Sequence, residues 1–246
     1  MAVILKSSAS SCVARVSIST GAVYVLVVEG SPAGTAFAIG SSHVITAYHN
    51  FYDDDTKTTF LELTLTKGVS KRGEMFESSD AVSVQNVLFD EALDWAILEI
   101  VDISQSFPEW LCLVEESELH MASLSSIVLH APVGLFLKGP SEELHIRRSQ
   151  PTDVQQFDRG GLNMICEGGL HSGSSGGPYV LLESGKVLAM HLGGIHEGTQ
   201  VVKRTMLTVK KIYELLTDQS EVHAFSMEGL VLCRVPKVVD FINKNA

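Results

Sequence analysis

The stretch Gly173-Ser174-Ser175-Gly176-Gly177-Pro178 sets a serine between glycines. Gly173 leaves the backbone free to take conformations a β-carbon forbids, so the amides of Gly173 and Ser175 can converge on one point and hold a developing oxyanion. Gly176 and Gly177 let the chain pass closely behind the hydroxyl. A serine hydroxyl is a weak nucleophile near neutral pH; it needs a base within hydrogen-bond reach, and that base needs a fixed tautomer. His49, in Thr46-Ala47-Tyr48-His49-Asn50, is the candidate base. Asp94, at the entrance of the apolar run Trp95-Ala96-Ile97-Leu98, is the candidate orienting carboxylate. Each fragment alone is ordinary turn punctuation. Together, in the order His49, Asp94, Ser175, they supply every part of a nucleophilic acyl-transfer site.

Such groups must be carried by rigid elements, and the chain offers mostly strands. Val13 to Ile18, Val23 to Val28, Thr35 to Ile39 and Val44 to Ala47 are short β-branched runs broken by Thr20-Gly21 and by Glu29 to Gly34. Phe60 to Leu65 alternates apolar with polar as a half-buried strand should. Val82 to Leu88 and Trp95 to Val101 follow, and Ser104 to Trp110, with Pro108, reads as the crossing to a second half. Beyond it come Ile127 to His130, Val133 to Leu137, Leu144 to Arg147, Asn163 to Cys166, Tyr179 to Leu182, Val187 to Leu192 and Thr199 to Lys203. Repeated strands at short spacing predict barrels or sandwiches. Helices are predicted from Thr208 to about 217 and after Pro236, with a further strand at Gly229 to Cys233.

Composition narrows the class. The 246 residues are 45% hydrophobic and 19% charged, which predicts a well-packed globular protein. A net charge of −11 repels phosphate backbones and anionic lipid heads, so neither nucleic acid nor a membrane surface is expected as a partner. No apolar run approaches a membrane span, and Lys6 interrupts Ala2-Val3-Ile4-Leu5 before a signal-peptide core forms, so a non-secreted, intracellular chain is expected. Cys12, Cys112, Cys166 and Cys233 show no C-x-x-C spacing, so we expect buried reduced thiols and no metal or other cofactor.

The ordered fragments G-T-x-F-x-I-G from Gly34, T-A-Y-H-N, D-W-A-I-L and G-S-S-G-G-P resemble the signature of chymotrypsin-clan serine endopeptidases, across residues 34 to 194. The resemblance implies an all-β fold of two orthogonal antiparallel six-stranded β-barrels with C-terminal helices. It divides the chain into a barrel at 1–110 carrying His49 and Asp94, a barrel at 111–217 carrying Ser175 and closed by the helix at 208–217, and an extension at 218–246. It also implies a peptide or protein substrate. The alternative is an inactive homologue that keeps the cleft as a peptide-binding or scaffold module.

Asn50 stands where the secreted digestive branch has a cysteine, Ser174 where it has an aspartate, and no Ile-Val-Gly-Gly start is present. The chain is thus more similar to the V8-type glutamyl endopeptidases, HtrA-like proteases and viral 3C-like proteases. In those relatives a histidine in x-H-x-G-G lines the pocket for the residue before the scissile bond and donates to a Glu or Gln side chain. Met190-His191-Leu192-Gly193-Gly194 matches, with Gly193 and Gly194 leaving room for an extended substrate. The threonine those relatives place five residues before the nucleophile is Leu170 here. His191 therefore reads either as a pocket residue or as a satisfied core histidine. His171, His196 and the histidines at 43, 120, 130, 145 and 223 read as surface or loop residues.

Overall fold

Apolar runs bounded by turn residues do form strands, and in the first half they close on themselves. The computed structural model describes residues 2–3, 18–53, 55–67, 81–118, 126–130, 145–149, 151–156, 162–167, 173–181, 184–196 and 225–245. Strands β1 (Val23–Val28), β2 (Ser31–Ala38), β3 (His43–Thr46), β4 (Leu63–Thr66), β5 (Val82–Asp90) and β6 (Trp95–Ile100) build a closed barrel in the order β6-β3-β2-β1-β4-β5. β1 and β2 join through Glu29 and Gly30, both at positive φ, as a two-residue hairpin turn requires. Strand β2 thus begins earlier than the expected Thr35. The expected strand at Phe60 to Leu65 starts later, at Leu63, because the Phe60 amide turns away to the Phe51 carbonyl and Leu61 is exposed.

Leu26, Phe37, Ile45, Leu65, Trp95 and Ile97 of the barrel strands are fully buried. All six residues of β1 and all four of β3 are buried, and β1 is continuously apolar while β3 carries the polar His43 and Thr46 at its ends; β5 alternates, with Ser83, Gln85, Val87 and Phe89 facing out. The crossing segment and the second half contact β2, and the C-terminal helix contacts β3.

The chain crosses near residue 110 and is pinned on both sides. Phe107 N donates to Ser41 O at 2.7 Å and Leu111 N to Ala38 O at 2.9 Å; then Val114 N donates to Val187 O at 2.9 Å. The second half is a seven-stranded antiparallel sheet of β7 (Ser126–His130), β8 (His145–Ser149), β9 (Pro151–Gln156), β10 (Leu162–Glu167), β11 (Pro178–Leu181), β12 (Val187–His196) and β13 (Phe225–Val231), in the order β8-β7-β11-β12-β13-β10-β9. The expected strands at 133–137 and 199–203, the expected helix at 208–217, and Leu170 and His171 lie outside the described residues.

Within the expected extension at 218–246, β13 runs between β10 and β12 as part of the second-half sheet. A 3-10 turn, Leu232–Arg234, then leads into helix α1 (Pro236–Asn245), which begins at the expected proline and returns to the first barrel. There the Phe241 ring meets His43 edge-on at 4.9 Å. His43 is therefore a buried residue of β3, against the surface position expected from sequence, because the helix covers it. Cys112 reverses the other way: it is a free, exposed thiol on the crossing segment. No helix among the described residues is long and apolar enough to cross a membrane.

Candidate active site

His49 leaves the barrel on a 3-10 turn, Tyr48–Asn50, directly after β3. The turn is braced by aromatic contacts: Tyr48 stacks on Phe89 at 4.8 Å and on Tyr52 at 5.0 Å, and meets Phe51 edge-on at 5.4 Å. Asp94 ends the turn between β5 and β6 with a φ of 60°, and that turn is held by Asp90 Oδ1, which accepts from the amides of Ala92 and Leu93 at 3.1 and 3.2 Å. Asp94 and His49 meet through two hydrogen bonds. His49 N donates to Asp94 Oδ1 at 2.9 Å, and His49 Nδ1 to Oδ2 at 2.7 Å. A carboxylate only accepts, so the proton resides on Nδ1 and Nε2 is left basic. The Asp94 side chain is 6% exposed and the imidazole 33%: the orienting group is dry and the base reachable.

Ser175 lies within the turn that opens at Gly173 (φ 90°) and passes Gly176 (φ 86°), two glycines at angles that side chains rarely adopt. Gly176 also runs against the first barrel, where a β-carbon would overlap the Thr35 carbonyl. The amides of Gly176 and Gly177 are already engaged, with His191 O at 2.8 Å and Ser174 O at 2.9 Å. The Ser175 hydroxyl donates to Leu192 O at 3.3 Å, so Leu192 meets the nucleophile loop through its backbone while its side chain is buried.

The serine's own carbonyl reaches the other half. It accepts from Asn50 Nδ2 at 3.0 Å, from the residue next to His49, and from Thr35 N at 2.9 Å. His49, Asp94 and the loop bearing Ser175 thus gather at the junction of barrel and sheet. Sequence reasoning noted Asn50 only as a missing cysteine and did not single out Thr35 or Thr46. No local pattern marks them, because their partners are remote in sequence.

His191 is buried beneath the same loop, its amide donating to Gly177 O at 2.8 Å. Its Nδ1 is 2.9 Å from the Tyr179 hydroxyl, a partner diagonally across the β11–β12 pairing. Burial, reinforced by the nearby His49, pushes its pKa down to about 3, so the ring is neutral. Gly193 is open where a side chain would stand, and β12 carries a bulge between His191 and Gly193. No group of His, Cys, Asp and Glu among the described residues could hold a metal ion.

No match is found among curated proteins. Solved structures share the fold at low identity. The Rv3671c protease of M. tuberculosis in its active form superposes with a TM-score of 0.57 at 16% identity, covering 91% of this chain and 81% of its own. The MamO protease domain of Magnetospirillum magneticum gives 0.54 at 11% identity, with 90% and 96% covered. Deg5 gives 0.51 at 17% identity, with 71% and 80% covered. The family profile described as the trypsin-like peptidase domain matches residues 34–190, more than half of the chain, and the chain therefore belongs to that family and is a trypsin-like serine endopeptidase, a hydrolase of peptide bonds.

Proposed function

We propose that the hydrolysis runs through Ser175, His49 and Asp94. The Ser175 hydroxyl swings from Leu192 O to the base and attacks a peptide carbonyl while His49 Nε2 takes its proton. Asp94 holds the imidazolium that results. With the amides of Gly176 and Gly177 engaged, those of Gly173 and Ser175 are the donors for the oxyanion. His49 then returns the proton to the leaving amine, and water releases the acyl group by the reverse sequence. The observation that carries this is the paired contact between His49 and Asp94, which fixes ring and tautomer together. The proposal includes a second barrel in the half that carries Ser175.

The same proposal assigns the residue before the scissile bond to a pocket containing His191, with Leu192, Gly193 and Gly194 as the edge along which substrate extends and Leu170 as a further wall. The proposal takes the Tyr179 hydroxyl, 2.9 Å away, as the donor to Nδ1, so that the neutral His191 presents Nε2–H. A neutral donor suits the amide oxygen of Gln and gives no charge attraction to Glu, so Gln is the favoured residue of the two.

A fluorophosphonate probe labels the purified chain and fails on Ser175→Ala, and a peptide library shows cleavage after Gln. Absence of labelling in the wild type would leave only a peptide-binding role for the cleft; a library profile blind to Gln and Glu would remove His191 from specificity.

A further inference from the structure

The peptide group joining Ser175 to Gly176 is gripped at both ends. Its N–H donates to His191 O at 2.8 Å, within its own half, while its oxygen accepts from Thr35 N at 2.9 Å and Asn50 Nδ2 at 3.0 Å, both from the half that carries His49. Two residues earlier the Gly173 carbonyl accepts from Thr35 Oγ1 at 2.7 Å. These contacts belong to one relay. Asn50 Nδ2 also donates to Thr46 Oγ1 at 3.0 Å, and Thr46 Oγ1 donates to Thr35 O at 2.8 Å. Thr35 and Thr46 have no exposed surface and Asn50 almost none, so the relay is dry. Hydrogen bonds in such a setting are stronger and polarise one another.

The fit leaves no slack. A β-carbon on Gly176 would overlap the Thr35 carbonyl, and one on Gly34 would overlap the Asn50 amide. Strand β2, the turn after β3 and the serine loop are therefore in direct contact at the points where the relay crosses.

We propose that Thr35 and Asn50 are positioning residues for the hydrolysis: through the carbonyls of Gly173 and Ser175 they set the nucleophile and its oxyanion donors against His49. The inference rests on Ser175 being the nucleophile. Its physical basis is that base and nucleophile come from different halves, so no element common to both fixes their separation. Asn50 does so directly, being bonded covalently to His49 and by its side chain to Ser175. Thr35 fixes the turn at Gly173, whose amide faces the oxyanion. Misplacing reacting groups by about 1 Å costs roughly 10²-fold in rate.

The test uses the full chain and a small fluorophosphonate, with labelling followed by intact mass to give a limiting rate, a half-saturation concentration and the fraction of sites finally labelled. Thr35→Val keeps the shape and the backbone N–H but deletes the hydroxyl; Thr35→Ser restores it; Asn50→Asp keeps the shape and turns a carboxylate oxygen toward the Ser175 carbonyl. We expect Thr35→Val and Asn50→Asp to lower the limiting rate by about 10- to 100-fold per labelled site, with half-saturation unchanged. Thr35→Ser returns it to near the wild-type value. Unchanged limiting rates, a loss confined to melting temperature, or a Thr35→Ser variant as slow as Thr35→Val would overturn the inference while wild-type labelling kept Ser175 in its role. A wild type that does not label would overturn both.

Discussion

His191 contributes to stability by staying neutral. Its ordinary pKa is 6.5, and burial, with His49 nearby, brings it to about 3 in the folded protein. Below pH 6.5 the unfolded chain takes up a proton at this residue that the folded one refuses, so the contribution is complete above pH 6.5 and is lost as pH falls toward 3. The slope is about 1.4 kcal/mol per pH unit. Urea midpoints of the wild type and His191→Gln, followed from pH 7 to pH 4, should therefore converge as the pH drops. Parallel curves would mean that His191 is hydrated. Neither its neutrality nor its Tyr179 partner was legible in Met190-His191-Leu192-Gly193-Gly194, because desolvation depends on what covers the ring.

The turn from Glu91 to Asp94 shows what an element adds to its residues. Asp90 caps it, the φ of 60° at Asp94 aims the carboxylate back under the His49 turn, and Tyr48 N donates to Asp94 O at 3.3 Å, so two turns support each other. Asparagine tolerates that backbone region nearly as well as aspartate, whereas alanine does not. Asp94→Asn should therefore keep its melting temperature within a few degrees and lose about 10⁴-fold in labelling rate, because the amide no longer enforces Nδ1–H. A variant that labels within tenfold of wild type would show that His49 does not depend on Asp94 for its tautomer. The sequence placed Asp94 at the mouth of a strand; the positive φ arises only in the folded turn.

At the scale of the whole molecule the crossing segment at 101–115 and α1 tie the two halves beside the relay at the serine loop. The helix buries Val238 completely, lays Phe241 and Ile242 on the barrel cluster, and joins Lys237 Nζ to Asp90 Oδ2 at 3.1 Å. These contacts differ in worth. Truncating a fully buried valine costs about 2 kcal/mol, while an ion pair whose lysine is 62% exposed falls in the class worth under about 1 kcal/mol. Val238→Ala should thus lower the melting temperature clearly, and Lys237→Ala barely, in paired calorimetric scans. Equal effects would mean that the ion pair, and not apolar burial, fastens the helix.

By itself the sequence located β1, β3, β5 and β6 and the start of the C-terminal helix, and it singled out His49, Asp94 and Ser175 as the candidate reacting groups. Its apolar runs are local, its helix begins at a proline, and the types and order of His49, Asp94 and Ser175 are a linear property. The tertiary structure alone decided which side chains bridge the halves. The bonds from Thr35 to Gly173 and from Asn50 to Ser175 join residues 138 and 125 positions apart. Periodicity within one segment carries no information about contacts of that range, which exist only once closure of the barrel and return of β13 and α1 have brought the two surfaces together.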